Sequence, residues 1–178
     1  MSDQHIDLSR RRFLIGSAAA GAGLSLGLYL PMAGATSEST ANPEVNAWVM
    51  IQPDEQVIIR IARSEMGQGT LTGLAQIVAE ELECDWSNVT TEYPTPGESL
   101  ARNRVWGSFS TGGSQGIRGS HQYMREGGAA ARIMLIEAAA EKWEVPVDEC
   151  TVSKGIITHV PSGKTTSYGK VATAAAEM

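Results

Sequence analysis

Two glycine-rich turns hold the residues whose types and spacing suit ligand chemistry. They are Gly67-Gln68-Gly69 and Ser110-Thr111-Gly112-Gly113-Ser114-Gln115-Gly116. Each precedes a segment with helical periodicity. The start of a helix leaves backbone N–H groups unpaired at the positive end of its dipole, which is what an anionic group needs. Glycine suits such a cradle because a Cβ would block close approach and disfavour left-handed backbone angles. Gln68 and Gln115 add side-chain amides that donate and accept together, useful against a pterin edge or a nucleotide heteroatom. Neither turn fits G-x-G-x-x-G after a strand or Gly-Lys-Ser/Thr, which excludes a Rossmann or P-loop reading. Weighed alone, Gly67-Gln68-Gly69 reads first as a plain strand-to-helix turn.

Other residues with reactive side chains offer less. Glu65 beside the first turn is expected as a solvated or capping carboxylate and not as a catalytic base. His5, His121 and His159 are scattered without ligand spacing, so no protein-ligated metal site is expected. His121 reads as part of a helix seam and His159 as a strand residue. Cys84 and Cys150 lack CxxC spacing and sit in apolar contexts, although an oxidising compartment would permit a disulfide between them.

The elements that must position these turns can be read from the hydrophobic pattern. The runs 47–51 and 56–61 are β-rich and flank Pro53-Asp54-Glu55, which predicts an antiparallel hairpin with Pro at the second turn position. Leu71, Leu74, Ala75, Val78 and Leu82 recur on one helical face, with Glu80, Glu81 and Glu83 turned away. Val89-Thr90-Thr91-Glu92-Tyr93 has strand propensity and is closed by Pro94 and Pro96. A loop is expected from Thr95 to Phe109. Beyond the second turn, Ile117, His121, Met124, Gly128, Ala131, Leu135 and Ala138 form a narrow seam on a long helix, and the small residues from Gly127 to Ala131 admit a close neighbour. Residues 150–153 and 156–159 read as a hairpin around Lys154-Gly155, with a further turn at Ser162-Gly163. Ser167 is expected to cap a last helix running to Glu177. That helix meets no Gly, Pro or basic stop before Met178, which suggests a chain cut at its C-terminal side.

The chain begins with a segment of another kind. Ser9-Arg10-Arg11-Arg12-Phe13-Leu14 precedes an uncharged, Gly- and Ala-rich stretch from Ile15 to Leu30, then Pro31 and the small-residue pattern Ala33-Gly34-Ala35. This order is that of a signal peptide for the twin-arginine route, which exports folded proteins and so suits a cofactor inserted in the cytoplasm. The alternatives are an uncleaved anchor or a short buried helix, and so short and glycine-rich a run is a poor bilayer span. The expected organisation is a signal at 1–35, a polar linker at 36–45 and one partial domain at 46–178. Losing three arginines and two aspartates with the signal takes the net charge from −6 to −7. So acidic a chain is not expected to bind nucleic acid.

The residues around the two turns carry a resemblance. Glu65-Met66-Gly67-Gln68-Gly69-Thr70 with Val78-Ala79-Glu80-Glu81-Leu82 and Asp85-Trp86-Ser87 resembles a segment of molybdenum hydroxylase large subunits, of the xanthine dehydrogenase and aldehyde oxidase family. Thr111-Gly112-Gly113-Ser114, Arg118-Gly119-Ser120 and the helix from Gly128 to Leu135 resemble its isoquinoline 1-oxidoreductase beta-subunit branch, and the likeness covers nearly all of 45–178. It implies a mixed α/β partial molybdopterin-binding domain in which Gly67, Gln68, Gly69, Gly112, Gly113, Ser114 and Gln115 contact the cofactor, in its cytosine dinucleotide form. It further implies hydroxylation of N-heterocycles or aldehydes with oxygen from water, and a periplasmic or inner-membrane-associated setting. Electrons would pass to a small subunit with iron–sulfur clusters and on to an acceptor such as a cytochrome. Family subunits are several times longer and carry their catalytic glutamate beyond the equivalent of residue 178. No catalytic residue is therefore expected here, and the remainder of the large subunit becomes an implied partner. The competing expectation, from the chain's own Met1 and signal, is a small exported binding module without catalysis. A plain α/β domain with ordinary glycine turns is a third.

Overall fold

The computed structural model describes residues 43–178, so the signal-peptide reading and most of the linker lie outside the described residues. Strands β1 (Glu44–Asn46), β2 (Val49–Ile51), β3 (Val57–Arg60) and β4 (Val89–Glu92) form one sheet in that order. β1, β2 and β3 pair antiparallel, and β4 joins β3 in parallel with Val57 opposite Val89. A parallel neighbour requires a crossover, supplied by helix α1 (Thr70–Leu82). The sheet begins earlier than the sequence suggested. Glu44 and Val45 are strand residues and not linker, and Val45 is buried.

The predicted hairpin forms as read, with the Glu55 N–H donating to the Gln52 carbonyl at 3.0 Å across Pro53 and Asp54. α1 buries Leu74, Ala75, Val78 and Leu82, the face that its periodicity marked. Against this face lies the long helix, in two pieces: α3 (Gln115–Arg118) and α4 (His121–Trp143), separated by Gly119 and Ser120. The break corrects the seam. Ile117 and His121 are exposed, while Met124, Gly128, Ala131, Leu135 and Ala138 are buried as expected. Close approach of α4 to α1 depends on Gly128, where a Cβ would stand 2.7 Å from the Val78 carbonyl oxygen.

The expected loop from Thr95 to Phe109 instead opens with a short helix, α2 (Pro96–Ala101). Thr95 and Glu98 form a reciprocal capping box around a Pro at the first turn. Strands β5 (Cys150–Ser153), β6 (Ile156–His159) and β7 (Lys164–Ser167) make a second, antiparallel sheet. β7 is a strand beyond the expected hairpin, and its pairing with β6 takes Ser167 out of the expected capping role. The Ser167 hydroxyl donates to Glu55 Oε1 at 2.5 Å, and the last helix, α5 (Ala172–Ala176), starts without a side-chain cap. Tyr168, buried, donates its phenol to the Leu82 carbonyl at 2.6 Å and ties this sheet to the end of α1. Both cysteines are free thiols, so the possible disulfide is not formed. His159 is a buried strand residue between Ser162 and Glu149.

Candidate functional site

The site is assembled by the loop that leaves β3. Ile61 and Ala62 are buried and fix where the chain emerges. Arg63 then reaches the second glycine turn, donating from Nε to Ser120 Oγ at 3.0 Å and from Nη1 to the Ser110 carbonyl. The Ser64 N–H donates to Thr111 Oγ1 at 2.9 Å. These bonds bring together two turns far apart in sequence. Below them, Gly116 packs on Thr70, with room for a Cβ only at 3.0 Å from Thr70 Oγ1. The short helix α3 therefore lies directly over the first turn of α1.

The first turn has an acceptor of its own. The Glu65 carboxylate accepts from the N–H groups of Gly67 at 2.7 Å, Gly69 at 2.9 Å and Leu71 at 2.9 Å. Hydrogen bonds from Leu71 and Gly69, then Gly67 and Gln68, hold this carboxyl below the usual carboxylate range. Glu65 itself is steadied by Tyr93, whose phenol oxygen accepts the Glu65 N–H at 3.1 Å. Gln68 folds back on its own loop: Oε1 accepts from Met66 N–H at 2.5 Å and Nε2 donates to the Ser64 carbonyl at 2.8 Å. Gly67 and Gly69 adopt positive φ, 89° and 75°, so glycine serves the backbone bend at these positions.

The second turn is different. Among the described residues, the N–H groups of Gly112, Gly113 and Ser114 have no hydrogen-bond acceptor, and neither has the Gln115 side-chain amide. Gly113 and Ser114 are both in the left-handed region, at φ 57° and 58°. Gly112 has an ordinary φ, and an added Cβ there would meet nothing within 4 Å. Among the described residues, no backbone angle or close neighbour requires glycine at 112.

A cleft of about 390 Å³ opens between the turns. Gln68, Gly112, Gly113, Ser114 and Gln115 line it, with Met66 and Ile117 as its apolar wall. Gly67 and Gly69 are not among its lining residues; they shape the loop behind it. Its size lies within the range of small-molecule sites, and its mix of apolar wall and convergent polar groups is typical of them. Sequence reasoning missed Arg63, Thr111 and Tyr93, the side chains that fix the cleft. Thr111 was visible only as part of the glycine turn, and no local pattern marks Arg63 or Tyr93. No group of His, Cys, Asp and Glu suited to a metal ion occurs among the described residues, and no helix there is long and apolar enough to cross a membrane.

The sequence profile of the molybdopterin cofactor-binding domain matches residues 3–178. The chain belongs to that family. Two curated relatives agree: the beta subunit of isoquinoline 1-oxidoreductase from Brevundimonas diminuta, 34% identical over 93% of this chain, and a membrane-bound aldehyde dehydrogenase (pyrroloquinoline-quinone) from Gluconacetobacter polyoxogenes, 33% identical over 94%. The chain spans only about a fifth of their length, 22% and 21%. The fold is also that of a segment of reconstituted CO dehydrogenase from Oligotropha carboxidovorans, at a TM-score of 0.50 and 22% identity over 71% of this chain and 15% of that one.

The cleft of this molybdopterin cofactor-binding domain suits the group for which the family is named. Molybdopterin combines an anionic phosphate with a flat heterocycle carrying donors and acceptors. The unpaired N–H groups of Gly112, Gly113 and Ser114 are of the kind that could hold the first, and the free Gln115 amide of the kind that could pair with the second. The mixed α/β architecture expected from sequence is the one observed.

Proposed function

We propose that this chain forms one wall of the molybdopterin site in the large subunit of an oxidoreductase that hydroxylates N-heterocycles or aldehydes, with water as the oxygen source. The observation that carries this reading is the cleft in which Gly112, Gly113 and Ser114 present three unsatisfied N–H groups beside the free amide of Gln115. When bound, the molybdenum cofactor supplies the redox chemistry. The chain's own part is to bind and orient. The second-turn N–H groups would hold an anionic oxygen of the cofactor, Gln115 would pair with a heteroatom, and Met66 and Ile117 would exclude water from one side. Gln68, locked by its bonds to Met66 and Ser64, offers a fixed surface instead of a searching side chain. This reading takes the cofactor in its cytosine dinucleotide form.

The same reading brings partners: the remainder of the large subunit, an iron–sulfur small subunit and an onward acceptor such as a cytochrome. Both curated relatives bear oxidoreductase names, which favours this over a stand-alone binding module. The Arg10-Arg11 motif and Ala33-Gly34-Ala35 support export by the twin-arginine route to the periplasm or the outer face of the inner membrane. Cell fractionation of an Arg10→Lys, Arg11→Lys variant should find the protein retained in the cytoplasm; unchanged export would remove that part.

Turnover is the test of the reaction. The complete subunit, produced with its accompanying chains in a molybdenum-supplied host, should oxidise isoquinoline or a simple aldehyde. Incorporation of label from ¹⁸O-water into product is expected, and no turnover with molybdenum bound would count against the reaction assigned.

A further inference from the structure

We propose that Glu65 is the resident anion of the first glycine turn, and that by filling this cradle it directs the anionic part of the cofactor to the second. This rests on the cleft being the cofactor site, and it assigns a role to a residue outside the cleft lining. The geometry is that of a bound anion. One carboxylate oxygen accepts from Gly67 and Gly69 at 2.7 and 2.9 Å, and the other accepts from Leu71 at 2.9 Å, in the first turn of the thirteen-residue helix α1. These are the N–H groups that a phosphate would otherwise take at such a place. The helix has no other side-chain cap, and its first turn contains no other acidic residue. Hydrogen bonding from this cradle favours the charged form of Glu65.

The consequence is a division of labour between two turns that look alike in sequence. A second anion at the first turn would have to displace Glu65 or lie beside it. At the second turn nothing in the described chain competes, since Gly112, Gly113 and Ser114 keep their N–H groups unpaired. Glu65 is thus a positioning and specificity residue. It holds Gln68 against the cleft through the loop it organises, and it leaves one place for negative charge.

Amide chemical shifts of the ¹⁵N-labelled full chain, titrated with inorganic phosphate at neutral pH, test this directly. In the wild type the amides of Gly112, Gly113 and Ser114 should move, while those of Gly67, Gly69 and Leu71 stay still. In Glu65→Ala the first-turn amides should become responsive, with at least a fivefold gain in apparent affinity there. Glu65→Gln can keep an oxygen in the cradle without the charge, and should give a smaller gain, which tests the idea even if the alanine variant folds poorly. First-turn amides that respond in the wild type as strongly as in the variants would overturn the proposal, as would silence there in both variants. Silent second-turn amides beside a first-turn gain would instead remove the cofactor-site reading and leave the role of Glu65 as a resident anion intact.

Discussion

Ser64 and Thr111 are 47 residues apart in sequence, yet the Ser64 N–H donates to Thr111 Oγ1 at 2.9 Å. This bond, with those from Arg63, makes one cleft out of two turns. Thr111→Val keeps the shape of the side chain and removes the acceptor. A single exposed hydrogen bond contributes about 0.5–1.5 kcal/mol, and the lower end is expected here. Urea unfolding should therefore change little, while cofactor retention by the complete subunit should fall several-fold. A large loss of stability with full cofactor content would contradict this role.

Two glycines should separate folding from binding. Gly128→Ala brings a Cβ to 2.7 Å from the Val78 carbonyl oxygen, and backbone cannot easily yield. The cost expected from overpacking is about 1–3 kcal/mol, read as a lower urea midpoint. Gly112→Ala meets nothing within 4 Å and has an ordinary φ, so its stability should change by no more than about 0.5 kcal/mol. Its effect should appear instead in the cleft, as reduced phosphate response at Gly113 and Ser114.

Glu65 also makes a prediction about pH. Its folded-state pKa lies below the ordinary 4.5 because backbone N–H groups of Leu71, Gly69, Gly67 and Gln68 favour the carboxylate. A group of this kind contributes stability above its unfolded pKa and loses that contribution as pH falls through the folded value. Stability measured from pH 6 downward should therefore decline from near 4.5 and below, and less steeply in Glu65→Gln than in the wild type. Equal slopes in the two proteins would show that the cradle does not hold the charged form.

Much of the frame was legible because periodicity and burial coincide. The apolar face from Leu74 to Leu82, the hairpin around Pro53 and the close-packing glycines near 128 each follow from one local rule. Helix α2 has a local signal too, the capping box Thr95-Pro96-Gly97-Glu98, but it lies beside Pro94 and Pro96, which locally favour a loop. Strand β7 has no such signal: Lys164-Thr165-Thr166-Ser167 is polar, and only pairing with β6 makes it a strand. The seam failed at Ile117 and His121 because Gly119 and Ser120 break the helix, a tertiary choice that spacing alone does not reveal.

At the site, the glycine turns named the place but not its internal economy. Both turns combine glycines with a glutamine, and spacing alone does not say that one is filled. Glu65 could be read as a capping acid, yet the three N–H groups it takes are known only from the fold. Arg63 and Tyr93 act over distances in sequence that no motif spans.

The most direct measurement is the molybdenum and phosphorus content, by mass spectrometry, of the protein purified from its native host with whatever chain continues or accompanies it, in the wild type and in Gly112→Val. The expected result is one molybdenum with two phosphorus atoms per wild-type chain, as in the dinucleotide form, and loss of most of both in the variant at unchanged stability. Wild-type protein without molybdenum, or a variant that retains its full complement, would contradict the assignment of this cleft to the cofactor.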